Sequence, residues 1–103
     1  MSKISLIAKL TAVEGKAEEL EAAMRTVVEA ATEEDGLEVY SAHRVDGESG
    51  AYYFFEVYRD QAAWDVHGKG ERMRDAMGAF AGLLVGRPEL TVMSPVAAKG
   101  IDV

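Results

Sequence analysis

The apolar residues of this chain change their spacing repeatedly, and the order of those changes limits the fold more tightly than composition does. In residues 3–10, Ile4, Leu6, Ala8 and Leu10 share one parity while Ser5 and Lys9 take the other, the pattern of a half-buried strand. From Lys16 to Glu33 the period lengthens. Met24, Val27, Val28 and Ala31 follow Leu20 by four, seven, eight and eleven residues, with Glu18, Glu19, Arg25 and Glu29 mostly off that stripe. This spacing predicts an amphipathic helix, acidic in its first turns as the positive end of a helix dipole favours, and Gly36 is expected to terminate it in a left-handed conformation. Leu37–Arg44 and Ala51–Tyr58 read as strands joined by a hairpin loop, Val45-Asp46-Gly47-Glu48-Ser49-Gly50. Asp60 can cap a second helix that runs from Gln61 to His67, breaks at Gly68-Lys69-Gly70 and resumes at helical spacing through Met73, Met77, Phe80 and Leu84. Gly86 and Pro88 end that helix, and Glu89–Val96 alternates again, with Leu90, Val92 and Ser94 on one face.

The order β-α-β-β-α-β, without linker, repeat or low-complexity segment, predicts one α+β domain over residues 1–103. It is the split pattern of a ferredoxin-like sandwich: one antiparallel four-stranded sheet with both helices on one face. The other face is expected to present Ile7, Tyr53, Phe55, Val57 and Met93, too apolar a set for water. A second copy meeting it across a twofold axis would bury it, so the chain is expected to form a homodimer.

Charge and cysteine content remove whole classes of function. The 18 acidic and 11 basic residues leave a net charge of -7, and the bases are scattered, so neither nucleic acid nor an anionic membrane surface is an expected partner. With no cysteine there is no disulfide, thiolate metal site, iron–sulfur cluster or cysteine nucleophile. Two isolated histidines, His43 and His67, lack chelating spacing, so no metal is expected. No glycine fingerprint for a nucleotide and no nucleophile elbow occurs. No apolar run approaches the ~20 residues of a membrane span and no leader-like start is visible, so a cytoplasmic protein is expected.

Several stretches carry a family likeness: Glu34-Asp35-Gly36-Leu37 followed by Tyr40 and His43-Arg44, then Phe55-Glu56-Val57-Tyr58, Ala62-Ala63-Trp64-Asp65-Val66-His67 and Pro88-Glu89-Leu90. In this order and spacing the chain resembles the antibiotic biosynthesis monooxygenase family of dimeric α+β barrels. The resemblance implies oxidation of a quinol or polycyclic phenol by dioxygen without metal, flavin, haem or other cofactor, the small aromatic substrate lying between helices and sheet and reacting through its own anion. Where many relatives continue after the histidine with a second histidine and a phenylalanine, this chain has Gly68-Lys69-Gly70-Glu71-Arg72-Met73, a segment that reads as a different wall or an entrance flap. The haem-degrading branch of the fold is not matched: the first strand has no asparagine and Met77 falls near the expected haem-ligand histidine.

Such chemistry needs an apolar slot, a proton acceptor and donors for developing oxygen charge. His67 is the first candidate for acid or base, since an imidazole exchanges protons near neutral pH; a helix-end histidine bonded to carbonyls is the competing reading. Glu56, in an apolar strand and on the helix side with Tyr52, Phe54 and Tyr58, needs a partner: it can orient His67, accept a substrate proton, make a structural hydrogen bond, or pair with Lys9 or Arg74. Trp64 is a candidate aromatic wall, with core packing as its alternative. Tyr40 is a candidate polar contact, and His43, three residues on, faces away and is expected to be exposed. Arg74 can offset phenolate charge or simply stand in water. Met73, like Met24, Met77 and Met93, is a candidate for a soft pocket wall or for ordinary core. Two other classes of function fit the same residues: a non-catalytic dimeric module that binds a small aromatic, and an oxygen-independent isomerase.

Overall fold

The computed structural model describes residues 2–69 and 71–103, with the side chains at 69, 71–73 and 76 outside the description. Seven elements follow in order: β1 (Ile4–Thr11), α1 (Ala17–Ala31), β2 (Leu37–Arg44), β3 (Ala51–Tyr58), α2 (Gln61–Lys69), α3 (Glu71–Ala79) and β4 (Glu89–Met93). The strands form one antiparallel sheet in the order β2-β3-β1-β4, the ferredoxin-like arrangement expected from the spacing changes. The expected break does not fall at Gly68 or Lys69, both of which belong to α2, and residue 70, between α2 and α3, lies outside the described residues.

Each period has its physical consequence. The helical stripe of α1 buries Leu20, Met24, Val27 and Ala31, the residues its spacing selected. Leu20, Met24 and Val27 meet Ala8 and Leu10 of β1, Tyr52 and Phe54 of β3, and Phe80 in one core cluster, with Val28 of the same stripe partly buried against it. Leu20 is fully enclosed, a burial that contributes about 1.5–3 kcal/mol. The register pairs Leu6 with Glu56, Ala8 with Phe54 and Leu10 with Tyr52, so all six share the helix-facing side of the sheet. Asp60 caps α2 as expected, its Oδ1 accepting the Ala63 N–H at 2.9 Å.

Four further expectations are corrected. Gly36 does not adopt the left-handed conformation expected of a helix terminator; positive φ is found at other glycines. Its requirement is closeness, because a Cβ there would lie 2.5 Å from the Ala63 Cβ of α2. The last strand ends at Met93 instead of Val96, and α3 ends at Ala79, before Leu84. Leu84 instead forms an isolated bridge with Ala12. Leu90 and Val92 do share a face, in register with Ala8 and Leu6, yet both are exposed, as is Met77 of α3. The helices lie over β2 and β3 and leave the helix-side face of β4 uncovered.

The opposite face of the sheet is not uniformly open. Phe55 is 37% exposed and Ile7, Tyr53 and Met93 are half-buried, but Val57 is only 1% exposed, so this member of the expected apolar face is already covered within the single chain. Ser5, its register partner on β1, is buried too. The C-terminal segment returns to this end of the sheet, where Ala98, Gly100, Ile101 and Asp102 line a cavity of about 350 Å³ with Lys3 and Glu38. The latter two are joined by an ion pair at 2.6 Å.

Candidate active site

Strand parity and one turn of helix assemble the candidate site. Tyr40 on β2 is in register with Glu56 on β3, which places both on the helix side together with Phe54 and Tyr58. Trp64 and His67 descend from α2 one turn apart. The Tyr40 ring stacks on Phe54 with centroids 4.9 Å apart and meets the His67 ring edge-on at 5.3 Å. Tyr58 lies 5.6 Å from His67 and 6.4 Å from Trp64. His67 is therefore enclosed by aromatic rings and only 7% exposed.

Its two ring nitrogens have different surroundings. Nδ1 lies 3.0 and 3.1 Å from the two carboxylate oxygens of Glu34, a residue of the loop between α1 and β2. A carboxylate can only accept, so facing one Nδ1 is the donor, and in the Nδ1–H tautomer Nε2 has the lone pair. Among the described residues Nε2 is buried without a hydrogen-bond partner, and the nearest carboxylate oxygen is Oε1 of Glu56, 4.0 Å away. A buried, unpaired nitrogen is costly for a purely structural residue, and its availability as a base is the distinctive property of this site.

Glu56 is itself held by the Tyr58 hydroxyl, which donates to Oε1. Burial drives the Glu56 pKa upward, more strongly than the Tyr58 bond and nearby His67 pull it down, and Glu34 adds to the rise. The same burial, reinforced by Glu56 and Glu34, pushes the Tyr40 and Tyr58 phenols above their ordinary range and keeps them neutral. The cluster thus combines an imidazole held through Nδ1, a carboxyl biased toward its protonated form and two neutral phenols.

Of the residues singled out from the sequence, His67, Glu56, Tyr40 and Trp64 converge. His67 is not bonded to carbonyls at a helix end, because α2 continues to Lys69. Glu56 neither pairs with Lys9, which faces the other side opposite Tyr53, nor provides the hydrogen bond that orients His67. Glu34 provides that bond, and sequence reasoning missed it despite quoting the motif that contains it. Tyr58 was likewise placed on the correct face but given no role. Arg74 stands exposed on α3, and the Met73 side chain lies outside the described residues. His43 is exposed, as expected, and bonds Ser41 through Nε2 at 2.8 Å.

A second polar cluster lies farther along the same sheet. The Arg44 guanidinium grips Glu21 with two bonds of 2.8 and 2.7 Å, and the Tyr52 hydroxyl adds a third at 2.6 Å. These partners pull the Glu21 carboxyl down to about 2. The cluster borders a groove of about 510 Å³ between α1 and β2 that Met24, Val28 and Tyr40 also line, so Tyr40 stands between this groove and His67. Among the described residues no group of three or more His, Asp or Glu side chains is arranged to hold a metal ion, and no helix is long and apolar enough to cross a membrane.

Comparison with known proteins places this arrangement. A search of curated proteins finds no match. PA3566 of Pseudomonas aeruginosa, a solved structure, is 29% identical, with 94% of this chain and 97% of that one covered and a TM-score of 0.85. A Caulobacter crescentus structure, provisionally described as an antibiotic biosynthesis monooxygenase, is 26% identical over 93% of this chain and 92% of that one, with a TM-score of 0.87. A Chloroflexus aurantiacus structure with the same provisional description shares the fold at 24% identity and a TM-score of 0.82, covering 98% of this chain and all of that one (100%). The family model described as antibiotic biosynthesis monooxygenase matches residues 3–79, which include every residue of the His67 cluster, and this chain belongs to that family.

Proposed function

We propose that the chain is a cofactor-independent monooxygenase that oxidises a quinol or polycyclic phenol with dioxygen. The observation that carries the reading is His67: buried among aromatic rings, fixed through Nδ1 by Glu34, and with Nε2 unpartnered among the described residues. The substrate hydroxyl gives its proton to Nε2, and Glu34 stabilises the imidazolium that forms. The resulting anion is electron-rich enough to pass an electron to dioxygen, and recombination at carbon gives a peroxide anion. His67 returns the proton to that peroxide, and loss of water leaves a carbonyl. The Glu56 carboxyl, biased by burial toward its protonated form, and the Tyr40 hydroxyl are the donors for developing oxygen charge, Trp64 is an aromatic wall, and Arg74 of α3 offsets phenolate charge. Nε2 is closed to solvent in this conformation, so substrate displaces part of the wall before the proton can pass.

Oxygen uptake with a reduced naphthoquinol in chelator-treated buffer tests the proposal against His67→Ala and the substrate's autoxidation. Enzyme-dependent uptake lost in the variant is expected. Uptake equal to autoxidation, with the aromatic bound, would instead favour the binding module; turnover without oxygen would favour the isomerase.

We further propose that the protein works as a homodimer through the sheet face opposite the helices, where Phe55 remains exposed beside half-buried Ile7 and Tyr53. Light scattering is expected to give twice the chain mass, and Phe55→Lys to shift it toward the monomer. A monomeric wild type at micromolar concentration would overturn this.

A further inference from the structure

The His67 imidazole has two sides, and among the described residues the Nδ1 side is the one that leads outward. Around Nε2 stand Glu56 and Tyr58 of β3, both buried, with the Tyr40 ring of β2 against the imidazole edge. On the Nδ1 side the Glu34 side chain is 14% exposed. Glu34 also lines an open cleft of about 380 Å³, bordered by Glu33, Asp35 and Arg59 and by Ala62 and Val66 of α2. The cleft can exist this close to the histidine because Gly36 lets the loop press on α2, where any side chain would strike Ala63. A carboxylate bonded to a buried imidazole on one side and bordering solvent on the other is placed to carry a proton between them.

We infer that Glu34 is the relay through which His67 exchanges its ring proton with solvent, Nδ1 passing it to the carboxylate and the carboxylate to water in the cleft. The inference deepens the reading of His67 as proton carrier and rests on it. The proton accounting is closed. When Nε2 takes a proton the ring holds two; the Nδ1 proton moves to a Glu34 oxygen, breaking N–H and forming O–H, and Glu34 then loses it to water. The reverse sequence restores the Nδ1–H tautomer once Nε2 gives up its proton. No electron changes hands. Glu34 is a positioning residue in this scheme, acting on the reaction through His67 alone.

The Nδ1–H of His67 is observable by ¹⁵N-edited NMR, and its exchange with water can be timed without substrate in acidified buffer, where the proton on Nε2 comes from the medium instead of from the substrate. Glu34→Gln keeps an acceptor for Nδ1–H but not an ionisable one. We expect the ring to keep its tautomer and exchange to slow by about a hundredfold, the low end of what a positioned base supplies. Ala62→Phe, which fills the cleft from the exposed side of α2 without touching the Glu34–His67 bond, is expected to slow exchange as well. Wild-type exchange rates in either variant, with the tautomer unchanged, would overturn the relay. Because no substrate enters this measurement, its failure is distinguishable from failure of the oxygen-uptake experiment, which tests the oxidation itself.

Discussion

Glu21 and Glu56 each accept a hydrogen bond from a tyrosine of β3, Tyr52 and Tyr58 respectively, yet their acidities are driven in opposite directions. Glu21 has the Arg44 guanidinium on both oxygens and Arg25 at 3.5 Å, and its carboxyl is held down to about 2. Glu56 is enclosed, its nearest potential cation among the described residues is a histidine 4.0 Å away, and burial raises its pKa. The tyrosine contact is common to both, so it does not decide the outcome. A committed arginine keeps a carboxylate charged and structural, whereas desolvation without one favours the protonated carboxyl.

The strongest way to break this contrast is kinetic. His67→Ala is expected to reduce enzyme-dependent oxygen uptake by about a hundredfold or more, as loss of a positioned base does. Glu21→Ala is expected to leave the rate per folded molecule unchanged. Equal losses in the two variants, corrected for folded fraction, would erase the distinction between a chemical and a structural cluster.

Next in size is a steric test that separates the clusters. Gly36→Ala brings a Cβ to 2.5 Å from that of Ala63 and is expected to destabilise the chain by about 1–3 kcal/mol in urea unfolding, the range for overpacking. It should also disturb the Glu34–His67 bond and leave Arg44–Glu21 intact, which ring and guanidinium NMR signals would show.

The smallest effects are in the pH dependence of stability, and their signs are opposite. Glu21 has a lowered pKa, so its stabilisation is present above its unfolded value of about 4.5 and is lost as pH falls toward 2. Glu21→Gln should therefore lower Tm at pH 7, with the difference from wild type closing in acid over that window. Glu56 has a raised pKa, so its contribution is complete below the unfolded value and is lost as pH rises through the folded one. Glu56→Gln, which keeps an acceptor for Tyr58, should raise Tm at pH 7, and the gain should vanish below about 4.5. A Glu56→Gln variant less stable than wild type at pH 7 would show that the carboxylate is the favoured form.

Alternation in Ile4–Leu10 and Ala51–Tyr58 was enough to assign faces, because strand parity is a local rule, and it put Glu56, Tyr52, Phe54 and Tyr58 on the helix side without any knowledge of pairing. The stripe of α1 was legible for the same reason. His67, Trp64 and Tyr40 were found because their residue types carry proton chemistry or flat surfaces and lie in matched motifs. Glu34 was not, since it reaches His67 across 33 residues, and one acidic residue beside Glu33 and Asp35 looks no different from its neighbours in sequence.

The sequence by itself determined the elements, their order, the side of the sheet on which each strand residue lies, and the family. Those follow from spacing and residue type, which are properties of neighbours along the chain. Tertiary structure alone decided which nitrogen of His67 is free, which carboxylate holds the other, why residue 36 must be glycine, and that Val57 is covered while Leu90 and Val92 are not. Each of these depends on where separate elements approach in space. Burial and hydrogen-bond satisfaction are set by those approaches, and no local pattern encodes them.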